Sequence, residues 1–376
     1  MDKKFVMGIA AMAALTLVSC SSDDLDSFSD NSSKNEAISF DGYLGRSAVA
    51  VNGTRGSEVK ISNLQTDGFG VFGKYTSAKS QTSDLFINQQ VTYDKSTDPA
   101  KWTYSPLKFW PSDGYIDFLA YAPYDKSTKL TEGSKIKDFT VDEDIAKQKD
   151  LLWTNDMNHL ITGNITTAKK KVNFQFHHAL SRLGYNVTLS GDYSSSVATF
   201  TVNKITLAGS SDGTKKAFYK TGTIDLSKIV TKDNTQKNKE DLSKTNTETG
   251  LWTAETSDGN KQNFDLVSSA QTLDQTGIKS GDNYLFVIPQ DFSGTDELYV
   301  YVEYTINYGG TTGSVTNKVY KQIKKHFLQG NAYMLNLTLG LPIEFDVDVT
   351  SVGAGVDGWG TDEGINIGSN DTPWER

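Results

Sequence analysis

From Tyr333 to Val349, every odd-numbered position of the chain is apolar. A period of two is typical of a strand that buries one face. Shorter alternating runs, rich in Val, Ile, Thr, Tyr and Phe, occupy residues 70–75, 85–93, 115–121, 172–176, 185–189, 198–207, 284–288 and 298–308. Turn-forming pairs such as Asp67-Gly68 and Gly309-Gly310 lie between them. The sequence therefore predicts an all-β fold built from sandwiches.

No stretch keeps a 3.6-residue period over three turns. The best helical candidate is residues 176–183, where four apolar side chains would share one face: Phe176, Ala179, Leu180 and Leu183. The segment is short, and predicted strands flank it on both sides.

The length of 376 residues favours two domains. A polar, charged stretch at residues 166–171 precedes the alternating run that begins at Val172. The sequence therefore predicts one sandwich over residues 37–171 and a second over residues 172–342. Residues 343–376 are predicted to form a final strand and a tail.

The charge balance and the composition exclude several classes of protein. The chain has 37 Lys and Arg against 46 Asp and Glu, a net charge of −9, which argues against a nucleic-acid binder. One cysteine and four histidines are too few for a disulfide framework or a zinc cluster.

The N-terminus has the features of an export signal that ends at the only cysteine. Lys3 and Lys4 precede an uncharged stretch, residues 5–19, which is shorter than the about 20 residues that span a bilayer. The stretch ends in Leu-Val-Ser-Cys20, which resembles the bacterial lipobox, where the cysteine becomes the mature N-terminus and carries acyl chains such as palmitate. Two or more acyl chains hold a protein stably at a membrane. We therefore predict a signal peptide over residues 1–19, lipidation at Cys20 and a flexible linker over residues 20–36; the alternative is an ordinary signal peptide followed by an unmodified thiol.

A glycine motif suggests a nucleotide site but lacks its context. Gly68, Gly70 and Gly73 match the dinucleotide-binding spacing, which requires a strand before it and a helix after it. A Ser/Thr-rich loop follows here. Gly68 is better interpreted as part of the turn that opens a strand.

The remaining polar motifs predict no enzyme. His177 and His178 are adjacent on a predicted strand, so they point to opposite faces and cannot chelate one metal together. A histidine packed or hydrogen-bonded at a domain junction is the better interpretation. Acidic pairs such as Asp142 and Asp144 occur in the sequence. It contains no nucleophile-elbow motif and no spacing typical of metal ligands. We predict no catalytic residue, no metal and no cofactor.

Seven segments, taken in their order along the chain, resemble the fimbrillin family, the lipoprotein precursors of type V pili. They are Asp67-Gly-Phe-Gly-Val-Phe-Gly73, Phe86-Ile-Asn-Gln89, Trp102-Thr-Tyr-Ser-Pro106, Phe109-Trp-Pro111, Tyr115-Ile-Asp-Phe-Leu-Ala-Tyr-Ala-Pro-Tyr124, Phe176-His-His-Ala-Leu180 and Tyr333-Met-Leu-Asn-Leu337. The resemblance implies two tandem transthyretin-like β-sandwich domains and export to the outer-membrane surface as a lipoprotein. It also implies cleavage after an N-terminal arginine by a trypsin-like protease. Donor-strand exchange would then join pilin subunits into a fimbria that serves adhesion to a host or bacterial surface ligand.

Two arginines are candidates for the maturation cut. Arg46 and Arg55 lie in a stretch rich in Gly, Ser and Asn, and loop tips of small polar residues are preferred sites of nicking. Arg55 is favoured, because Asn52-Gly53 marks a turn and a small residue follows the arginine. Arg46 is the second candidate, and both could instead be ordinary surface residues.

The last predicted strand is a candidate donor. Pro342 interrupts the final alternating run, and the apolar positions that follow it are Ile343, Phe345, Val347 and Val349. Its opening, Ile-Glu-Phe-Asp, repeats Ile-Ser-Phe-Asp at the first strand, so the donor would fill the pockets of Ile38 and Phe40 in another subunit. Two alternatives stay open: the strand pairs within its own subunit, or the tail of residues 351–376 is the donor.

Two other functions remain possible. The runner-up is a monomeric surface lipoprotein that binds glycans, which would carry exposed aromatic rings beside polar groups in one concave site. An extracellular hydrolase is a distant third.

Overall fold

The computed structural model describes residues 36–44, 61–161, 171–228, 251–281, 283–310, 313–340 and 344–351. The described residues form 24 strands, one α-helix and two 3₁₀ helices. The fold class predicted from the sequence, all-β with two sandwiches in tandem, is confirmed.

The helices are short. The α-helix, α1, spans Ile61–Asp67, and the 3₁₀ helices span Ile145–Lys147 and Asp258–Asn260.

The strands of the first half of the chain are β1 (Ser39–Leu44), β2 (Phe69–Thr76), β3 (Thr82–Asp94), β4 (Lys101–Thr103), β5 (Tyr115–Ala122), β6 (Lys135–Thr140), β7 (Leu152–Leu160) and β8 (Lys171–His178). The next eight are β9 (Ser181–Leu189), β10 (Thr199–Ala208), β11 (Phe218–Tyr219), β12 (Thr221–Asp225), β13 (Trp252–Ala254), β14 (Lys261–Gln262), β15 (Phe264–Val267) and β16 (Gln271–Leu273). The last eight are β17 (Ile278–Lys279), β18 (Leu285–Val287), β19 (Gln290–Asp291), β20 (Tyr299–Asn307), β21 (Ser314–Gln322), β22 (His326–Phe327), β23 (Ala332–Gly340) and β24 (Glu344–Ser351).

Seven strands form the first large sheet, in the order β1-β8-β7-β5-β2-β3-β4. Its core contains inward residues of every one of these strands, among them Phe69, Phe118 and Phe174. The first and last strands of the order are β1 and β4, and the segment after β4 turns back to bond with the start of β1. The sheet therefore curls around an aromatic core.

Two five-stranded sheets make up most of the second sandwich. One has the order β15-β10-β20-β21 with β16 also on β10, and the other has the order β17-β9-β23-β24 with β18 also on β9. Their inward residues form the second core cluster, which includes Phe200, Tyr304 and Leu335.

The second core also covers the outer face of the first sheet. On β5, Phe118 belongs to the first core, whereas its neighbour Leu119 belongs to the second. Strand residues alternate between faces, so both faces of β5 are buried. The strand β6 joins the second unit, because it pairs with β12.

The predicted boundary between residues 171 and 172 stays a prediction. In the structure β8 pairs with β1 and β7, and Phe174 lies in the first core. Hydrogen bonding thus places residues 171–178 in the first sheet.

The helical candidate at residues 176–183 is wrong. Phe176 and His178 lie on β8, and Leu183 lies on β9. Residues 178–184 are all buried, because the chain crosses here from one core to the other. Continuous burial satisfies a helical and a strand pattern equally, so periodicity could not separate them.

Within the described ranges, no helix is long and apolar enough to cross a membrane.

Candidate site at the first and last strands

The first strand is an edge strand held in parallel register. Its six residues, Ser39–Leu44, pair one to one with β8 from Lys171 to Phe176. Among the described strands it pairs with β8, which is far from it in sequence. Its place in the sheet depends on this pairing and on the burial of its side chains.

The inward side chains of this strand are buried in the first core. Ile38 is 1% exposed and Phe40 is 2% exposed, so both occupy buried positions in this chain, and their displacement by a donor strand stays a prediction. The ring of Phe40 contacts four aromatic rings at centroid distances of 5.3 to 5.8 Å: Phe86, Tyr104, Phe118 and Phe174. Without the first strand, these rings would line an apolar groove.

The segment after β4 forms the other side of this groove. The backbone N–H of Ile38 donates to the carbonyl of Lys108 at 2.8 Å, and that of Trp110 donates to Glu36 at 3.1 Å. The hydroxyl of Tyr104 donates to the carbonyl of Ile38 at 2.7 Å. The start of the first strand is thus bonded along both edges. Sequence reasoning missed the role of Tyr104, because nothing in its spacing links it to a strand 66 residues away.

The residues predicted for processing lie outside the described residues. Cys20 precedes the first described residue, and Arg46 and Arg55 lie between β1 and α1. The only other arginines of the chain are Arg182 and Arg376. Arg182 is 4% exposed on β9, with its guanidinium over the ring of Tyr284 at 4.2 Å.

The last described strand pairs within its own chain. All eight residues of β24 are in antiparallel register with β23, and Phe345 lies opposite Leu339. Val347 is 3% exposed and Val349 is 1% exposed in the second core. Ile343 lies outside the described residues. In the single chain the strand therefore adopts the within-subunit pairing left open above, and its role as a donor stays a prediction.

Packing explains the glycine motif. Gly68 has a φ of +71° in the turn between α1 and β2, as its interpretation as a turn residue predicts. A Cβ on Gly73 would come within 2.6 Å of the ring of Phe86. The glycines therefore allow close packing of β2 against β3 and β5.

The two adjacent histidines point to opposite faces of the strand, as predicted. The Nδ1 atom of His178 is 2.8 Å from the Oδ2 atom of Asp150, and both side chains are fully buried between the two cores. His177 faces the other way, 6.4 Å from the ring of Trp153. No group of three or more potential metal ligands occurs among the residues that the structure describes.

One cavity combines aromatic and polar walls. Its volume is about 500 Å³, and it lies between α1, the loop after β5, β6 and the segment that precedes β7. Tyr124 and Phe139 are half-buried in its wall, beside Asp67, Gln90 and Lys149. This is the type of concave site that the glycan-binding alternative requires.

The comparisons with known proteins agree with this architecture. A family model described as Fimbrillin-like matches residues 54–359 of the chain. A fimbrial protein from Bacteroides vulgatus has a similar solved structure, with a TM-score of 0.61 and 21% identity over 85% of this chain and 100% of that chain. A protein from Bacteroides uniformis, described as a candidate cell adhesion protein, has a TM-score of 0.47 and 15% identity over 86% of this chain and 98% of that chain. None of the curated proteins matches the chain.

Proposed function

Because the chain belongs to the fimbrillin-like family, we propose that it is a structural subunit of a type V pilus that serves cell adhesion. In this proposal it is exported as an outer-membrane lipoprotein precursor anchored through Cys20. A protease trims it after an N-terminal arginine, and donor-strand exchange joins it to other pilin subunits.

The observation that supports the proposal is the placement of the first strand. It is an edge strand that fills an aromatic groove, and only residues 45–60 connect it to α1. A cut in that connection leaves the strand held by non-covalent contacts alone. Its loss would expose an apolar groove and unpaired backbone groups, and such edges recruit strands from other chains.

The distribution of arginines makes the cut selective. Arg46 and Arg55 both lie in the connection, whereas Arg182 is buried on β9. Cleavage at either arginine removes the first strand, and we favour Arg55, because Asn52-Gly53 marks a turn and a small residue follows the arginine. A protease specific for arginine would therefore separate the first strand and leave both sandwiches intact.

The donor is a C-terminal segment of another subunit. Either the strand with Ile343, Phe345, Val347 and Val349 or the tail of residues 351–376 can supply it. The first is the last strand of the second sandwich and the second follows it, so a head-to-tail contact with the groove of the first sandwich generates a linear polymer.

The test is limited digestion of the purified precursor with an arginine-specific protease, followed by size-exclusion chromatography and N-terminal sequencing. We expect one cut, a new N-terminus at residue 56 or 47, and a ladder of oligomers. The matched control is the double variant R46Q/R55Q, which should stay uncut and monomeric. A trimmed protein that loses residues up to 46 or 55 and remains monomeric at all concentrations contradicts the proposal.

The cavity beside Tyr124 favours glycan binding as the second candidate function. Aromatic rings pack against the C–H faces of sugars, and carboxylates and amides bond to their hydroxyl groups. A panel of free mono- and disaccharides, titrated by calorimetry into the untrimmed monomer, should give saturable binding that Tyr124→Ala weakens at least tenfold. Phe109→Ala, which removes a half-exposed ring outside the cavity, is the control. Equal binding by both variants, or none by the wild type, eliminates this candidate.

A further inference from the structure

The third inward position of the first strand is occupied by a glycine. Ile38, Phe40, Gly42 and Leu44 alternate inward, and Gly42 is buried. A Cβ on Gly42 would lie 3.0 Å from the Cε1 atom of Phe69 and 3.3 Å from the Cε2 atom of Phe176. Its backbone is not in the left-handed region, so the close approach of these two rings is the reason for the glycine.

The two rings are held by residues outside the first strand. Phe69 is fully buried and Phe176 is 1% exposed. Phe69 packs edge-on against Trp102 at 4.9 Å and lies 5.2 Å from Phe176. Because these contacts survive removal of the first strand, the rings continue to limit the space there. Any strand that replaces the first one must carry a small residue at its third inward position.

We infer that the groove selects the tail segment of residues 363–369 of another subunit as its donor strand. The segment reads Glu-Gly-Ile365-Asn-Ile367-Gly-Ser369, and the first strand with its two preceding residues reads Glu-Ala-Ile38-Ser-Phe40-Asp-Gly42. In both segments an acid and a small residue come first. Large apolar residues then occupy the first two inward positions, and a small residue occupies the third. The match covers the first three inward positions. This inference rests on the proposed function, since it names the partner of the same groove.

The other candidate donor fits less well. Placing Ile343 and Phe345 in the first two pockets puts Val347 against Phe69 and Phe176. Serine at that position requires the rings to shift by a few tenths of an ångström, whereas valine adds a branched side chain to a closely packed site. Val347 is also already buried in its own second core.

Charge does not reverse this preference. In the first strand, Asp41 pairs with Lys171 at 2.9 Å, and both side chains are nearly half exposed. The β24 segment would keep an acid there, Asp346, whereas the tail has Gly368. An exposed ion pair contributes little to stability, so the fit at the buried third position decides.

The tail also has the necessary reach. Eleven residues, 352–362, separate the end of β24 from Glu363. In extended form they span about 35–40 Å. The tail can therefore enter a neighbouring groove while β24 stays paired with β23 in its own sandwich.

The first experiment measures peptide binding to the trimmed subunit by fluorescence anisotropy. The probes are labelled peptides of residues 361–371 and 342–350, and the subunit carries Ile367→Asp so that its own tail does not compete. We expect the tail peptide to bind at least tenfold more tightly than the β24 peptide. Within the tail peptide, Ser369→Val should weaken binding at least tenfold, and Ser369→Gly should not weaken it.

The second experiment uses full-length variants after arginine-specific trimming. Ile367→Asp and Ser369→Val should reduce polymer formation at least tenfold, with monomer folding unchanged by circular dichroism. If the β24 peptide binds more tightly, or if Phe345→Asp alone stops polymers while circular dichroism shows an unchanged monomer fold, the inference is overturned and the proposed function stands. If neither peptide binds and wild-type trimmed subunits form no polymer, both are overturned.

Discussion

Replacing Phe40 with alanine tests how strongly the first strand is anchored. The side chain is 2% exposed and contacts four aromatic rings. Removal of a buried phenylalanine costs about 3–5 kcal/mol, because the transfer free energy is lost and a cavity remains. A whole domain is stable by only about 5–15 kcal/mol. At about 1.4 kcal/mol per factor of ten, release of the strand should become at least about a hundredfold more favourable.

The assay is guanidinium unfolding of the untrimmed precursor, together with hydrogen exchange of the amides of β8. Phe40→Ala should lower the free energy of unfolding and speed exchange on β8, which is the partner of the first strand among the described strands. Tyr43→Ala is the matched control, because Tyr43 lies on the same strand and is 46% exposed. The control should change stability by less than about 1 kcal/mol.

The same variant should change the stability of the precursor but not that of the polymer. Trimming removes residue 40, so polymers made from Phe40→Ala and from wild-type protein should dissociate at the same denaturant concentration. Equal midpoints for the Phe40→Ala and Tyr43→Ala precursors would refute the anchoring argument. A shifted midpoint for the Phe40→Ala polymer would show that the first strand remains in the assembled subunit.

Three further predictions concern stability and anchoring. Burial raises the pKa of Tyr304 to about 12 from 10.0, and its hydroxyl has no hydrogen-bond partner among the described residues. The native state keeps the proton of Tyr304 to a higher pH than the unfolded chain does, so this residue should lower stability by about 2 kcal/mol as pH rises from 10 to 12. Tyr304→Phe should remove that contribution in thermal melts and stabilise the protein by about 1 kcal/mol at neutral pH. A Cβ on Gly70 would meet the ring of Tyr121, so Gly70→Ala should cost about 1–3 kcal/mol in urea unfolding, whereas Gly259→Ala, with open space around it, should not. Cys20→Ala should release the protein from the membrane fraction, and a variant that still fractionates with the outer membrane would contradict lipid anchoring at this residue.

Hydrophobic alternation predicts the strands of this fold well where one face is buried. The run at residues 298–308 becomes β20 (Tyr299–Asn307), and the run that begins at Tyr333 becomes β23 (Ala332–Gly340). The buried positions Val300, Val302 and Tyr304 alternate with half-exposed ones, as a period of two requires. The pattern shows that one face is buried, but not which elements cover it.

The elements that sequence reasoning missed lack such a pattern. Over its seven residues, α1 buries only Leu64 among the side chains that are described, so no helical period could develop. The contact of Tyr104 with Ile38 joins distant parts of the chain. Alternation at Val347 and Val349 correctly predicts a strand, but the same pattern fits pairing within the chain and between chains. The limit on side-chain size at Gly42 is set by the rings of Phe69 and Phe176, which only the folded structure brings together.

The junction between the two cores gives the proposed polymer a fixed repeat. Gln148 accepts a hydrogen bond from the backbone of Phe286 at 2.7 Å, and the side chain of Asn155 on β7 donates to the carbonyl of Leu226 at 2.6 Å. Apolar contacts tolerate sliding, whereas buried hydrogen bonds hold only in one arrangement. In a strand-linked polymer, load enters each subunit at the groove of the first sandwich and leaves after the second, so it must cross this junction. Directional bonds at the junction therefore keep the spacing between groove and donor the same in every subunit.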